Sequence, residues 1–364
     1  MTLDGGFLRA LEGVAAVRPD EPMSRHTTIG IGGPADAYVV VRSAGQLGEV
    51  LRVCGVAGVS VFMLGSGSNI VVGDGGIRGV VVENKASGVT QRSEDRGQRS
   101  EDRGQRSEGS LEAESRAVDA RDEGPPHPDP LPGGRGDQVW GELDALAVAG
   151  DGRVLFRLES GCSFAGESRR LAFSGYAGLE WACGIPGTLG GAVVYNAGAY
   201  GGCLGDVLQR VAVWDADAGE VVFEASELGL VYRGSDFTRG VMAGRAVLWA
   251  EVALWEGDIE ALKERVAEYD ARRLKAQPRG RNAGSFFKNP ADGPAWRLLD
   301  AVGLRGYRIG GAEFSDKHCN FLINAGGATG ADVAALKSLA QERVRVEFGV
   351  ELENEVSLVG EGWG

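Results

Sequence analysis

The stretch GIPGTLGGAVVYNAGAYGG (Gly184–Gly202) places seven glycines among alanines and larger apolar residues. A plain surface loop would be more polar than this. Side chains that are both small and apolar let a backbone lie against a broad flat surface, either a planar ring system or a neighbouring helix. The stretch therefore predicts a closely packed wall, and the rest of the sequence must decide between these two alternatives.

Two further glycine-rich clusters lie earlier in the chain. LGSGSNIVV (Leu64–Val72) follows a predicted strand, and HTTIGIGGPAD (His26–Asp36) precedes one. Consecutive backbone N–H groups in such loops form a nest that suits phosphate oxygens. The Leu64–Val72 cluster is neither the GxGxxG of a dinucleotide-binding helix nor the GK[ST] of a P-loop. Together the three clusters predict a site for a large cofactor with a pyrophosphate and a planar ring.

Size and charge limit the classes of function. The 364 residues are enough for two or three domains, each with its own core. The net charge of -13 argues against a nucleic-acid or anionic-membrane partner. A small anionic substrate is compatible with this charge only where arginines and lysines cluster locally.

Cysteines and histidines indicate neither a disulfide framework nor a metal site. The five cysteines are scattered without a CxxC pair, and the three histidines lie far apart. Residues 1–22 contain acids and too short an apolar run for a signal peptide. No run reaches the ~18 apolar residues of a membrane span. We therefore expect a cytoplasmic protein with reduced thiols, no metal and no membrane partner.

Residues 88–138 have a composition unlike the rest of the chain. They contain the tandem repeats QRSEDRG, QRSEDRG and QRSEG, then an acidic stretch and a proline-rich stretch. Almost no leucine, isoleucine, valine or phenylalanine occurs among them, so they cannot bury enough apolar surface to offset the entropy of ordering. We interpret them as a disordered insert in a surface loop.

We expect that deleting residues 91–136 leaves fold and activity nearly intact, because the deleted segment has no core-forming residues. Thermal unfolding of the shortened protein and its content of bound cofactor test this. A large fall in melting temperature, or loss of the cofactor, would show that the insert packs against the fold.

Outside the insert, strands and helices alternate without a strict βα repeat. This order predicts an α+β fold, beginning with a β-α-β unit. Asp258 and Pro278 mark the start and the end of one helix. The predicted strands are residues 36–41, 59–64, 79–84, 153–160, 210–216, 219–225, 246–254, 320–326 and 354–360, and the predicted helices are residues 44–58, 163–175, 258–278, 295–303 and 329–349.

A second stretch, RNAGSFFKNP (Arg281–Pro290), places the hydroxyl of Ser285 between a glycine and two phenylalanines, with Arg281 and Lys288 on either side. Such a serine is usually the turn residue at the entrance to a buried strand, where its hydroxyl satisfies a local backbone group. A role in chemistry needs support from elsewhere in the chain.

That support comes from a resemblance to a known family. The chain resembles the UDP-N-acetylenolpyruvoylglucosamine reductase (MurB) family over nearly its whole length apart from the insert. The motifs that carry the resemblance occur in the family's order: HTTIGIGGPADAYV, LGSGSNIVV, GLEWACGIPGTLGGAVVYNAGAYGG, YRGSDF, RNAGSFFKNP, GAEFSDKHCNFLINAGGATGADV and LENEVSLVG.

The resemblance implies a two-part FAD-binding domain of the vanillyl-alcohol-oxidase (PCMH) type at residues 1–236. A smaller α+β substrate-binding domain would follow at residues 237–364. It also implies a monomeric cytoplasmic flavoprotein of peptidoglycan synthesis, and thus of cell-wall biogenesis, cell shape and cell division. NADPH would reduce non-covalently bound FAD, and the flavin would reduce UDP-N-acetylglucosamine enolpyruvate to UDP-N-acetylmuramate.

Three residues match the family's catalytic set. Ser285 would donate a proton to C2 of the enolpyruvyl group. Arg233, in YRGSDF, would pair with the substrate carboxylate through its planar fork. Glu355, in ENEVSLVG, would polarise that carboxylate or share its proton, which requires a raised pKa.

Further residues match the family's binding positions. His26 is expected to be a structural hydrogen-bonding residue and not a covalent flavin link. The residues implied for FAD are Thr28, Gly30, Gly65, Ser66, Gly67, Ser68, Asn69, Ile185, Pro186, Gly187, Thr188, Gly190, Gly191, Asn196, Gly198 and Ala199. Those implied for the substrate are Tyr232, Lys288, Asn289, Lys317, His318 and Asn320.

The chain departs from one branch of the family. Between the strand at 246–254 and the helix that begins at Ile259 there is no room for the tyrosine-bearing loop that one MurB subtype folds over its substrate. The sequence therefore resembles the subtype without that loop.

Two other functions use the same glycine-rich clusters. An oxidase of the same FAD fold would act on an alcohol or amine, and would differ in lacking flavin reduction by NADPH. A non-catalytic flavin or nucleotide binder would have no need of Ser285, Arg233 and Glu355 together. The presence of all three in family-like contexts favours the reductase.

Overall fold

The computed structural model describes residues 3–87, 147–148, 151–291 and 293–364, with 147–148 described as backbone only. These residues belong to one compact unit. The predicted insert at 88–138 lies outside them. In the part of the chain described, no helix is long and apolar enough to cross a membrane.

Strands and short helices alternate through the first part of the chain, as expected for an α+β fold. The elements up to residue 224 are α1 (Gly5–Glu12), β1 (Val17–Pro22), β2 (Pro34–Val41), α2 (Ala44–Val56), β3 (Val61–Leu64), β4 (Ile70–Val72), β5 (Ile77–Asn84), β6 (Ala147–Val148), β7 (Val154–Glu159), α3 (Phe164–Phe173), β8 (Tyr176–Ala177), α4 (Leu189–Val194), β9 (Gly198–Ala199), β10 (Gly202–Cys203), β11 (Leu208–Asp215) and β12 (Gly219–Glu224).

The remaining elements are β13 (Ala246–Glu256), α5 (Ile259–Ala276), β14 (Asn282–Ser285), α6 (Ala295–Ala301), β15 (Arg308–Ile309), β16 (Ala312–Phe314), β17 (Phe321–Asn324), α7 (Gly330–Phe348) and β18 (Ser357–Val359). Single 3-10 turns lie at Met23–Arg25, Glu180–Ala182, Leu204–Asp206 and Ala225–Leu228.

The first sheet has the strand order β1-β2-β5-β3. Strands β2 and β3 both run parallel to β5 and are therefore parallel to each other. Helix α2 lies between β2 and β3 in the sequence, so the predicted β-α-β unit is confirmed. Helix α2 begins where the side chain of Ser43 accepts a hydrogen bond from the amide of Gln46. Its apolar face buries Leu47, Val50 and Cys54 against the sheet.

The second sheet has the order β12-β11-β13-β7-β6 and is antiparallel, with β8 paired to the end of β13. Its central strand β13 is buried from Ala246 to Leu254, because neighbouring strands flank it and apolar clusters cover both faces of the sheet. Helix α5 follows after only Gly257 and Asp258, which confirms that the connection is too short for an additional loop. Asp258 caps that helix by accepting from the amide of Ala261 at 2.8 Å.

The position of β13 bears on the expected domain boundary. A boundary after residue 236 would separate β13 from the sheet in which it pairs with β11 and β7. Helix α5 also packs on the first part of the chain, because Leu262 and Val266 join a cluster with Ala172 and Cys183. We therefore propose that the C-terminal domain begins after α5 and not after residue 236.

The C-terminal part is an antiparallel sheet of order β14-β17-β16-β15 packed against α6 and α7. Helix α7 begins with a capping box, in which Thr329 accepts from the amide of Asp332 and Asp332 accepts from the amide of Thr329. Ile29 and Val71, from the N-terminal part, are buried in the same core.

One strand pair links the two ends of the chain. Strand β18 runs parallel to β4, with Ser357 opposite Ile70 and Val359 opposite Val72. The side-chain amide of Asn69 donates to the backbone carbonyl of Glu355 at 3.2 Å. The pairing of β18 with β4 therefore places Glu355 next to the glycine-rich loop that precedes β4.

Candidate functional site

A cavity of about 920 Å³ lies where the glycine-rich segments meet. This volume is near the upper end of the roughly 300–1,000 Å³ that is typical of small-molecule sites. Most of the residues predicted to bind the cofactor line it, namely Gly65, Ser66, Gly67, Ser68, Asn69, Ile185, Pro186, Gly187, Thr188, Gly190, Gly191, Gly198 and Ala199.

The loop between β3 and β4 forms one wall and exposes backbone donors. Gly67 has a φ of +64°, and a Cβ there would overlap the carbonyl oxygen of His26. The amides of Ser66, Gly67 and Ser68 donate no hydrogen bond to any other residue that the structure describes. Consecutive unpaired amides in a tight turn form a nest for anionic oxygens, so this wall suits a phosphate group.

The segment before α4 forms the adjoining wall. The hydroxyl of Ser68 donates to the carbonyl of Pro186 at 2.9 Å and so ties the two loops together. A Cβ on Gly65 would lie 2.6 Å from the hydroxyl of Thr188, which shows that this glycine is needed for the close approach of the loops. The segment Gly184–Gly202 therefore packs against a second glycine-rich loop and also faces a cavity.

Three of the predicted cofactor residues contact other segments of the protein. The hydroxyl of Thr28 donates to the carbonyl of Asn282 at 2.6 Å, and Gly30 packs against the side chain of Arg281. The side chain of Asn196 is hydrogen-bonded to backbone groups. These residues are not among the described residues that line the cavity, so a direct contact with a cofactor stays a prediction for them.

His26 is confirmed as a structural hydrogen-bonding residue. Its Nε2 lies 2.9 Å from Oε1 of Glu21, and its Nδ1 lies 3.0 Å from the hydroxyl of Tyr38. Both ring nitrogens are therefore engaged with the first sheet, behind the Gly65–Asn69 loop.

Ser285 lies at the end of β14 and on the cavity wall. The preceding Gly284 has a φ of +86°, a conformation that favours glycine and that turns the strand at this point. Phe286 and Phe287 are completely buried and anchor the chain directly after Ser285. The amide of Glu355 donates to the carbonyl of Phe286 at 2.9 Å, so the Ser285 and Glu355 backbones lie on adjacent segments.

Arg233 and Glu355 form an ion pair at the same end of the cavity. The distance from Nε of Arg233 to Oε1 of Glu355 is 3.0 Å, and each side chain is only about one-fifth exposed. The Nε–H group is buried and is not aligned for a hydrogen bond with any described residue. The guanidinium therefore balances the carboxylate charge and retains donors for a ligand.

Burial raises the pKa of the Glu355 carboxyl above the ordinary value of 4.5, and the nearby charges of Arg233 and Lys288 offset part of that effect. The protonated form is therefore favoured relative to an exposed glutamate. This is the shift that a proton-sharing role requires.

We expect the E355Q variant to gain stability relative to the parent as pH rises. A carboxyl with a raised folded-state pKa binds its proton more tightly in the folded protein, so the parent loses stability as pH rises from 4.5 through the raised value. Glutamine does not titrate. Denaturant unfolding of both proteins with excess FAD, from pH about 4 to about 8, measures the difference. A difference that does not change with pH would contradict the raised pKa.

The residues predicted to bind the substrate are dispersed around the cavity and are not among its described lining residues. Lys288 lies with Nζ 3.3 Å from Oε2 of Glu353, and its charge acts on Glu355. Lys317 donates to the carbonyl of Leu274 near the end of α5 at 2.6 Å.

Asn289, Asn320 and His318 have clear structural contacts. Asn289 accepts from the amide of Ala295 and so caps α6. The side-chain amide of Asn320 both accepts from and donates to the backbone of Phe287, which holds the chain next to Ser285. Burial lowers the pKa of His318, whose Nδ1 has no hydrogen-bond partner in the described part.

Tyr232 is largely exposed, and its ring lies 5.2 Å from the Arg233 guanidinium. The substrate contacts of all six residues stay predictions.

Sequence reasoning missed a cationic part of the cavity wall. Arg273, in the last turn of α5, lines the cavity and packs against Gly184, where a Cβ would lie 2.8 Å from its Cδ. Its Nε donates to Oε1 of Gln277 at 2.9 Å. Burial lowers the pKa of the guanidinium, which marks a charge with incomplete solvation. The arginines before Gln277 were the only sequence feature that could have indicated this cationic wall. Basic residues in the last turn of a helix usually only interact with the helix dipole, so the feature was not specific.

Two protein families match parts of the chain. The model of the UDP-N-acetylenolpyruvoylglucosamine reductase C-terminal domain matches residues 276–359, and that of an FAD-binding domain matches residues 147–223. The first match begins at the end of α5, where we place the domain boundary.

Whole-length relatives show the same similarity. The chain is 36% identical to the UDP-N-acetylenolpyruvoylglucosamine reductase of Desulfosudis oleivorans, over 99% of this chain and 100% of that protein. The reductase of Heliobacterium modesticaldum is 34% identical, over 94% of this chain and 91% of its own. The crystal structure of MurB from Thermus caldophilus has a TM-score of 0.64 at 28% identity, covering 94% of this chain and 98% of that one.

Proposed function

Because the chain belongs to the UDP-N-acetylenolpyruvoylglucosamine reductase family, we propose that it reduces the enolpyruvyl group of UDP-N-acetylglucosamine enolpyruvate to UDP-N-acetylmuramate, with NADPH as electron source. The chain is an FAD-dependent oxidoreductase of peptidoglycan precursor synthesis. The observation that carries the proposal is the convergence of Ser285, Arg233 and Glu355 on one glycine-lined cavity.

The residues present fit FAD. The amides of Ser66, Gly67 and Ser68, which donate to no residue in the described part of the chain, suit a pyrophosphate. The small residues from Gly184 onward leave room for planar rings. FAD, when bound, supplies hydride transfer between NADPH and the enolpyruvyl C3. The protein has to orient the substrate, exclude water and deliver a proton.

Ser285 would hold the proton that reaches C2. Among Ser285, Arg233 and Glu355, only Ser285 carries a hydroxyl, and this residue lies on the cavity wall. Two buried phenylalanines fix the chain on its C-terminal side. A donor has to lie within hydrogen-bond reach of the carbon it protonates, and a fixed backbone keeps it there.

Arg233 and Glu355 would act on the substrate carboxylate, where negative charge accumulates between the hydride and proton steps. Preorganised donors directed at developing charge usually give the largest single contribution to catalysis. The Arg233 Nε–H donates to no residue that the structure describes, so it is available to a ligand beside Glu355. The raised pKa of Glu355 allows its carboxyl to share a proton with the developing enolate.

Separate measurement of the two half-reactions tests the function. The purified holoprotein is reduced anaerobically with NADPH, and the bleaching of its flavin absorbance is followed. The enolpyruvyl nucleotide is then added. We expect rapid reoxidation with formation of the saturated product, and reoxidation no faster than without the nucleotide would exclude the proposed reaction.

We expect R273Q to weaken the apparent affinity for the anionic nucleotides about tenfold to hundredfold, the effect of losing a hydrogen bond to a charged group. Arg273 places a poorly solvated cation on the cavity wall, so a phosphate there would gain a strong partner. Titration of the holoprotein with NADPH and with the substrate gives the two affinities.

The neighbouring R272Q is the matched control, because Arg272 is exposed and lies over the ring of Tyr200. Its affinities should stay within about twofold of the parent's. Equal losses in R272Q and R273Q would indicate a general charge effect. Loss of FAD in R273Q alone would assign Arg273 to the cofactor.

A further inference from the structure

The turn that carries Arg233 has an unusual backbone. Val231 and Gly234 exchange two backbone hydrogen bonds, at 2.9 and 3.2 Å, so that Tyr232 and Arg233 form the tip of a tight turn. Arg233 itself has a φ of +53°, which a side chain larger than asparagine rarely adopts. Contacts from outside the turn are therefore needed to hold this conformation.

Asn196 provides one of these contacts. Its Nδ2 donates to the carbonyl of Val231 at 3.0 Å, and its Oδ1 accepts from the amide of Gly205 at 2.9 Å. The residue is 7% exposed and has a φ of +41°, a conformation that asparagine tolerates. The donor end of this buried amide thus joins the chain after α4 to the base of the turn, and the acceptor end fixes Asn196 to the 3-10 turn at Leu204–Asp206.

A second contact fixes the other side of the turn to the same segment. The hydroxyl of Ser235, a fully buried residue, donates to the carbonyl of Val194 at 2.6 Å. Two residues beyond Asn196, Gly198 lies against the guanidinium, because a Cβ there would be 3.2 Å from Nη1 of Arg233. The segment Val194–Gly198 therefore holds the turn at its base and contacts the arginine at its tip.

We propose that Asn196 is a positioning residue that sets the place of the Arg233 guanidinium relative to Glu355 and to the substrate carboxylate. This inference rests on the proposed function, since it assigns Arg233 to the carboxylate. It also gives Asn196 a role different from the cofactor contact that the family resemblance implied. A shift of the arginine would weaken binding of the substrate carboxylate and slow the charge-developing step, while leaving the flavin loops in place.

The variants N196D and N196G separate the amide from the backbone conformation. Aspartate keeps the acceptor for Gly205 and loses the donor to Val231, whereas glycine removes both contacts but accepts a positive φ without strain. We expect both variants to raise the substrate concentration for half-maximal reoxidation, and to slow reoxidation at saturation at least about tenfold. Flavin reduction by NADPH should stay within about twofold of the parent's.

Q46E is the matched control. The side chain of Gln46 likewise donates to a backbone carbonyl, that of Val14, and accepts from a backbone amide, that of Arg42, but Gln46 is not among the described residues that line the cavity. We expect this variant to reoxidise like the parent. If it slowed as much as N196D, a general loss of stability would explain both.

The same measurement in an R233K background completes the test. If Asn196 acts through Arg233, N196D should slow the R233K protein further by less than about twofold. A full tenfold further loss would overturn the proposal, as would N196G behaving like the parent or both N196 variants losing FAD. A parent that is not reoxidised by the enolpyruvyl nucleotide would instead contradict the proposed function.

Discussion

Replacing Ser285 with alanine is expected to slow flavin reoxidation by the enolpyruvyl nucleotide by about 10²- to 10⁴-fold, the usual contribution of general acid catalysis. Ser285 places its hydroxyl on the cavity wall next to the segment that carries Glu355. Stopped-flow measurement of each half-reaction gives the rates. Flavin reduction by NADPH should remain near the parent's rate.

Removal of one oxygen beside Gly284 should disturb the packing very little, because the buried side chains at this point are Phe286 and Phe287. FAD content and melting temperature are the controls. S285C should recover part of the rate, since a thiol also donates a proton, although the larger sulfur shifts its position. An alanine variant that reoxidises at the parent's rate would leave Ser285 as a turn residue. Equal losses in both half-reactions would place it in the flavin site.

R233K is expected to lower substrate-dependent reoxidation by about 10²- to 10³-fold, comparable to the loss of one preorganised donor to developing charge. Lysine keeps the positive charge but has no planar fork, and its ammonium cannot occupy the position of Nε beside Glu355. The NADPH half-reaction should change little.

The pH profile distinguishes loss of position from loss of charge in R233K. Because the Arg233 charge offsets part of the burial effect on Glu355, a lysine placed farther away should let the Glu355 pKa rise. The pH dependence of reoxidation should then move to higher pH. An unchanged profile with equal losses in both half-reactions would indicate that Arg233 supports the fold or the flavin.

Local patterns were sufficient for most of the secondary structure. The β-α-β unit, the Asp258 cap and the helix at Gly330–Phe348 are confirmed, because strand alternation, helical spacing and capping side chains are local signals. The domain boundary could not be predicted from local patterns alone. Nothing in the sequence of β13 shows which strands it pairs with, so its place at the centre of the second sheet could only be found from the structure.

The candidate site was predictable where its motifs are contiguous. The Gly65–Asn69 loop, Ser285 and Glu355 all reach the cavity. Arg273 was missed because its role depends on where the end of α5 is directed, a tertiary property. Asn196 lies in a cofactor-like motif, yet its amide is used by backbone groups at Val231 and Gly205, which are distant in sequence.

The pairing of β18 with β4 has a consequence for how the protein acquires its site. The hydrogen bond from Asn69 to Glu355 joins residues 286 positions apart, so it can form only after a very long loop has closed. We expect this pair to form after the rate-limiting step, because closing so long a loop costs chain entropy before the contact is gained. A substitution that weakens this pair should accelerate unfolding more than it slows folding. The Glu355 carboxylate would then reach the loop before β4 in one of the last steps of folding.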